Sequence, residues 1–152
     1  MLYITSCSSA VDSMTVSSGQ CQFSTTAETD VLDLTPKAGE FVATSGVRDG
    51  ILIVFVPGST AGVTTIEFES GALEDLKRAL ELVAPRDQDY EHNLRWGDGN
   101  GHSHVRAALM GPSLTIPVRG GRLDLGTWQQ IVLCDFDNRP RMRQVHLQAL
   151  GN

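Results

Sequence analysis

Ile51 to Val56 is the longest apolar run in the chain, bounded by Gly50 and by Pro57-Gly58. An unbroken apolar run between turn formers predicts a strand buried on both faces, and therefore a central one. Residues 63–68, β-branched at Thr64, Thr65 and Ile66, predict its neighbour in the sheet. Leu73, Leu76, Leu80 and Val83 then recur at spacings of three and four, which predicts a helix over residues 70–83. Glu74 stands four residues before Arg78 as a supporting pair, and Pro85 stops the helix. An earlier helix is predicted from Thr35-Pro36, with Thr35 as its cap and Gly46 at its end.

The remaining segments read as strands. A first strand is predicted over 14–26, broken at Gly19, and Val31 to Thr35 alternates only loosely. Residues 114–118 form another strand, and Pro117 restricts it to an edge or a bulge. Ile131-Val132-Leu133-Cys134 marks a buried strand, and 141–150 alternates at Met142, Val145, Leu147 and Ala149. The turn formers between them, Asp137 to Pro140, predict that these last two strands make a hairpin. Many strands with two helices, not alternating regularly, indicate a single α+β domain of largely antiparallel sheets. That domain spans 13–152, with the Ser-rich residues 1–12 as a lead-in.

Composition narrows the function classes. The 152 residues are 41% hydrophobic and 20% charged, in the range of one globular domain. A formal charge of −6 argues against a general binder of nucleic acid or of an anionic membrane. Arg139, Arg141 and Arg143 are a local exception. Cys7, Cys21 and Cys134 are odd in number and lack a CxxC spacing, which favours a reducing compartment. The N-terminus has neither a basic segment nor an apolar one of the kind a signal peptide needs, and no apolar run is long enough to span a bilayer. A cytoplasmic location is expected.

Candidate chemistry gathers in one stretch. Three of the four histidines, His92, His102 and His104, fall around Gly97-Asp98-Gly99-Asn100-Gly101, a run that favours turn over helix. On a strand, His102 and His104 would point to one face and offer two nitrogens to a divalent metal ion, with His92 returning across the turn as a third. Two loop-surface histidines would show the same spacing. His146 alternates away from Val145 and Leu147 and is expected to face solvent. Glu67 is a candidate ligand or general base, or an ordinary exposed strand residue. Ser59 and Thr60, after Pro57-Gly58, offer hydroxyl and backbone N–H groups to an anion, as a surface turn also would. No P-loop, GxSxG, HExxH or dinucleotide fingerprint is present.

Several words in order carry a resemblance. Gly99-Asn100-Gly101-His102-Ser103-His104, Gly111-Pro112-Ser113, Gly120-x-Arg122-Leu123-x-Leu125-Gly126-Thr127-Trp128-Gln129-x-Ile131 and Asp137-x-x-Pro140-Arg141 resemble the YjbQ-type family. Its members are described as secondary thiamine-phosphate synthases. Asp33-Leu34-Thr35, Ser45-Gly46-Val47 and Leu73-x-Asp75-Leu76 extend the likeness upstream. The resemblance implies a compact α+β fold assembled as a homotrimer, with a site near the histidines. It implies a weak activity that joins a hydroxymethylpyrimidine diphosphate to a thiazole phosphate and releases pyrophosphate. The partner would be a small phosphorylated molecule.

On that resemblance His92, His102 and His104 are expected to hold a divalent ion, zinc or magnesium. Glu67 and His104 are expected to be catalytic, and Ser59, Thr60, Arg106 and Arg141 to bind phosphate. The family's His-Thr-Thr-Ala turn is here Gly58-Ser59-Thr60-Ala61, and its Thr-Ile-Asn-Glu is Thr64-Thr65-Ile66-Glu67. A missing histidine implies a weakened site, which Gly58→His is expected to strengthen. The alternatives are a non-catalytic metal- or metabolite-binding trimer and a metal-assisted hydrolase of another substrate.

Overall fold

A computed structural model describes residues 13–152; the 1–12 lead-in and Cys7 lie outside the described residues. The chain forms β1 (Thr15–Ser24), β2 (Asp30–Asp33), α1 (Thr35–Thr44), β3 (Gly50–Phe55), β4 (Ala61–Ile66) and α2 (Ser70–Val83). It continues through α3 (Glu91–Trp96), α4 (Gly101–Met110), β5 (Ser113–Arg119), β6 (Arg122–Leu123), β7 (Gln130–Asp135) and β8 (Met142–Gly151). The strands make two antiparallel sheets, a large one in the order β1-β8-β3-β5-β6 and a small one in the order β2-β7-β4. The α+β class and the antiparallel pairing are as expected.

Both anticipated helices form. Pro36 sits in the first turn of α1, where its missing N–H costs nothing, and the Asp33 carboxylate accepts from the Thr35 N–H at 2.8 Å. The cap position is Leu34 and not Thr35; the Thr35 hydroxyl instead accepts from the Ile131 N–H at 2.9 Å. Helix α2 has the expected bounds, and the Glu69 carboxylate caps it by accepting from the Gly71 and Ala72 N–H groups. Its ion pairs run at three-residue spacing, Glu74 with Lys77 and Asp75 with Arg78, so Arg78 does not reach back to Glu74.

Strand pairing departs from expectation in two places. β7 and β8 do not form a hairpin, because β7 lies in the small sheet and β8 in the large one. The 136–141 connection crosses between them. Likewise β4 pairs with β7 and not with β3. Alternation identifies a strand but says nothing of its partner, and here the chain changes sheets at both turns. β1 runs unbroken through Gly19, which carries no side chain because the Phe41 ring lies 2.7 Å from where a Cβ would sit.

The principal core lies between the sheets. Leu52 and Val54 of β3, Val145, Leu147 and Ala149 of β8, and Ile116 and Val118 of β5 meet Val63 of β4 and Ile131 and Leu133 of β7. Leu34, Ala38 and Val42, on or beside α1, close it. The other face of β7, Val132 and Cys134, packs with Phe136 against Leu76 and Leu80 of α2 and Ala107 and Met110 of α4. β7 is therefore the strand buried on both faces. β3 is central in its sheet, as expected, but its second face is open, with Ile51 and Phe55 exposed. No helix among the described residues is long and apolar enough to cross a membrane.

Candidate functional site

The histidine stretch is a helix, not a strand. Asn100 stands at the cap position of α4, and Gly101 opens it, its N–H donating to the Asn93 Oδ1 at 2.8 Å. The Ser103 hydroxyl lies against Asn100 Oδ1 and the Phe136 carbonyl. Ala107, Ala108, Leu109 and Met110 are strong helix formers. On a helix, two positions turn the direction by about 200°, so His102 and His104 point to opposite sides. The expected shared face does not exist.

His102 points inward and is 2% exposed. Its Nε2 lies 3.3 Å from the Ser103 hydroxyl, its ring is tilted against Tyr90, and its Nδ1 is buried with no partner. Burial lowers its affinity for a proton and the Arg106 charge adds to this, so the ring is held below the ordinary histidine pKa. It is a neutral core histidine.

His104 points outward and meets His92 of α3. Their ring centroids are 4.3 Å apart at 36°, and the His92 Nδ1 lies 3.3 Å from Asp98 Oδ1. The short α3–α4 connection brings these three together. Among the described residues no group of three or more histidine, cysteine or acidic side chains is arranged to hold a metal ion. With His102 turned inward and no side chain at 58, the residues present do not fit the expected three-histidine ion centre.

A cavity of about 250 Å³ opens beside His104. The turn residues Gly58 and Ser59 wall it together with Ala61, Ala107, Ala108 and Pro112. Ser59 is exposed at its edge. Thr60 points the other way, into the interior. Its hydroxyl donates to Asp137 Oδ2 at 2.9 Å and accepts from Arg143 Nη2 at 2.7 Å. Arg143 also forks onto Asp135, with Nε at 2.7 Å and Nη2 at 2.6 Å. Arg141 Nε donates to Asp137 Oδ2 at 2.8 Å, and its side chain is partly exposed. Burial pushes the Asp137 carboxyl up, but hydrogen bonds from Arg141 and Thr60 and the charges of Arg141 and Arg143 outweigh it and hold it below the usual range.

The other anticipated residues fall elsewhere. Arg106 lies on the inner side of α4 and is 2% exposed. It donates to the Ala84 carbonyl from Nε at 3.0 Å and Nη2 at 2.8 Å, to the Thr29 hydroxyl at 3.2 Å, and to Glu81. Its donors are spent within the fold. Glu67 is exposed just beyond the end of β4. Ala61, at the other end of that strand, is the residue that reaches the cavity, and six extended residues cover about 20 Å. Glu67 and His104 therefore do not share a site within one chain.

The model of the family described as UPF0047 protein YjbQ-like matches residues 19–152. The chain belongs to the YjbQ family. A YjbQ-family relative from Methanothermobacter thermautotrophicus, a UPF0047 protein, is 39% identical over 127 residues, covering 84% of this chain and 87% of its own. Another from Mycobacterium tuberculosis is 42% identical over 128 residues, covering 79% and 96%. Among solved structures, a YbjQ-like protein of unknown function from Sulfolobus solfataricus superposes with a TM-score of 0.87 at 32% identity, covering 91% of this chain and 99% of its own. A YjbQ/UPF0047 protein from Clostridium acetobutylicum gives 0.79 at 36% identity, covering 86% and 98%.

Within this YjbQ-family fold the residues that sequence reasoning missed are acidic: Asp98 beside His92, and Asp135 and Asp137 beneath the Ser59-Thr60 turn. Asp135-Phe136-Asp137 followed by three arginines at alternate positions was the available signal. It reads equally as a solvated turn until β7 and β8 are known to lie in different sheets.

Proposed function

We propose that the cavity between the Gly58-Ser59 turn and α4 binds the phosphate or diphosphate group of a small molecule. The observation that carries this reading is that His104 and Ser59 line the same cavity. An imidazole N–H and a serine hydroxyl are suited to phosphate oxygens, and the size of the cavity suits such a group better than a bulky ligand. The chemistry we assign is the weak transfer that the family resemblance implies, thiamine-phosphate formation with pyrophosphate leaving. Its charge stabilisation falls to this chain's own donors. A non-catalytic metabolite-binding role is the second reading, favoured by Gly58, which supplies no side chain. Strain opposes restoring one: at φ 142° a histidine at 58 is disfavoured, with its Cβ 3.4 Å from Arg143.

Calorimetric titration with inorganic pyrophosphate tests the binding. A hydrogen bond to a charged group is worth about 1.5–3 kcal/mol, so His104→Ala is expected to weaken binding roughly 10- to 100-fold with an unchanged melting temperature. No binding by the wild type would end the reading. Binding without product from the two phosphorylated substrates would select the second role.

We also propose the homotrimer. It is supported by the open outer face of the large sheet, where Val16, Leu150, Ile51 and Pro117 stand in register across four strands. No helix among the described residues covers that row. Light scattering is expected to give three times the 16.4 kDa chain mass; a monomer at micromolar concentration would rule the trimer out. A cytoplasmic location accords with the free thiols of Cys21 and Cys134.

A further inference from the structure

Behind the turn that walls the His104 cavity stands a cation whose donors the fold does not use up. Arg143 is 8% exposed. Its Nε and Nη2 are committed to Asp135 and Thr60, and Nη2 also lies 3.4 Å from Asp137 Oδ2. Nη1 makes no hydrogen bond among the described residues. It lies 3.4 Å from the point that a Cβ at position 58 would occupy. Residue 58 is glycine, and its φ of 142° is one that a side chain would strain.

Nη1 is not among the buried side-chain atoms left without a partner, so its unused N–H groups stay open to an acceptor arriving from outside. Local charge permits that acceptor to be an anion. The carboxylates of Asp135 and Asp137 are matched by Arg143 and Arg141, and Arg139 stands 3.8 Å from Asp137 Oδ1 as a third cation. No excess negative charge remains in the cluster to repel a phosphate.

We propose that Arg143 reads the anion in this cavity, with Nη1 donating to a phosphate or diphosphate oxygen through the opening that Gly58 leaves. The inference rests on the phosphate-binding reading of the same cavity and adds its cation. Gly58 is then a specificity-determining position. It is the gap through which a buried arginine is reached, and not only the place of a lost histidine. Arg106, which the family resemblance nominates for phosphate, is replaced in that role by Arg143.

Side-chain NMR of the ¹⁵N-arginine-labelled protein, titrated with inorganic pyrophosphate, tests this directly, with Arg143→Lys used to assign the resonance. The Arg143 Nη protons are expected to shift and exchange more slowly, saturating at the affinity that calorimetry gives. Nε, already bonded to Asp135, is expected to move little. Gly58→Ala narrows the opening and is expected to weaken pyrophosphate binding about tenfold, or 1.4 kcal/mol. Should that variant fail to fold, the wild-type titration decides alone. Pyrophosphate binding that leaves the Arg143 Nη signals unmoved, or that is undiminished in folded Gly58→Ala, overturns the role of Arg143 and leaves the cavity reading standing. Absence of any binding overturns both.

Discussion

Arg106→Ala is expected to lower the stability of the protein by about 3–5 kcal/mol, because the buried Ala84 carbonyl and Thr29 hydroxyl lose their donor, at about 1–3 kcal/mol each, and a fully buried stem is lost with it. For a chain of this length that corresponds to a fall in melting temperature of roughly 10 °C or more. The guanidinium ties α4 to the end of α2 and to the loop before β2, through Glu81, the Ala84 carbonyl and Thr29. Truncation strands the Ala84 carbonyl in the interior and takes one of two cations from Glu81, which keeps Arg86 at 3.5 Å. The aliphatic stem is lost as well, so Arg106→Met, which keeps much of that packing, is expected to cost less than Arg106→Ala. Urea and thermal denaturation measure both. If the melting temperature held while pyrophosphate binding collapsed, Arg106 would be a ligand after all and its place as a strut would be refuted.

Asp137→Ala is expected to be comparably severe, about 3–5 kcal/mol, and to act on the site as well as on the fold. Asp137 is 1% exposed and receives Thr60, Arg141 and Arg143. Its removal leaves Arg141 without its counter-charge, while Arg143 keeps Asp135, and takes from the Thr60 hydroxyl the acceptor that fixes the Ser59 turn. The pH dependence follows from the same bonds. The native carboxyl is held below its ordinary value, so the unfolded chain binds the proton more readily. The stabilisation is therefore complete above about pH 4 and is lost as pH falls through the lower native value. Melting temperatures taken from neutral pH down to pH 3 are expected to fall more steeply for the wild type than for a folded Asp137→Asn variant. Parallel curves would show that Asp137 contributes nothing to acid sensitivity.

Sequence reasoning succeeded where local pattern and local chemistry coincide. The Leu73, Leu76, Leu80 and Val83 spacing marked α2 to its ends and Pro36 marked the first turn of α1, whereas the strand of Pro117, expected at an edge or a bulge, is flanked by β3 and the two-residue β6. It failed at α4 for a physical reason. The inward positions of that helix carry His102, Ser103 and Arg106, so the helical period is written in polar residues that a hydrophobic pattern passes over. Their burial is tolerated because Phe136, Ala84 and Glu81 lie ready to bond Ser103 and Arg106, all distant in sequence. The same helix separates His102 from His104 and removes the shared histidine face that a strand would have built.

By itself, then, the sequence determined the α+β class, the helices α1 and α2 and the YjbQ family, since these depend on short-range periodicity, turn formers and ordered motifs; α3 and α4 it did not. Tertiary structure decided the partners. Only the crossing from β7 to β8 brings Asp135, Asp137 and Arg143 beneath the Ser59-Thr60 turn, and only the α3–α4 corner brings His92 to His104. Strand alternation and residue spacing are properties of one segment, whereas a buried charge needs partners from others. Which arginine spends its donors inside the fold and which keeps Nη1 unbonded beside Gly58 could not be read before those partners were in place.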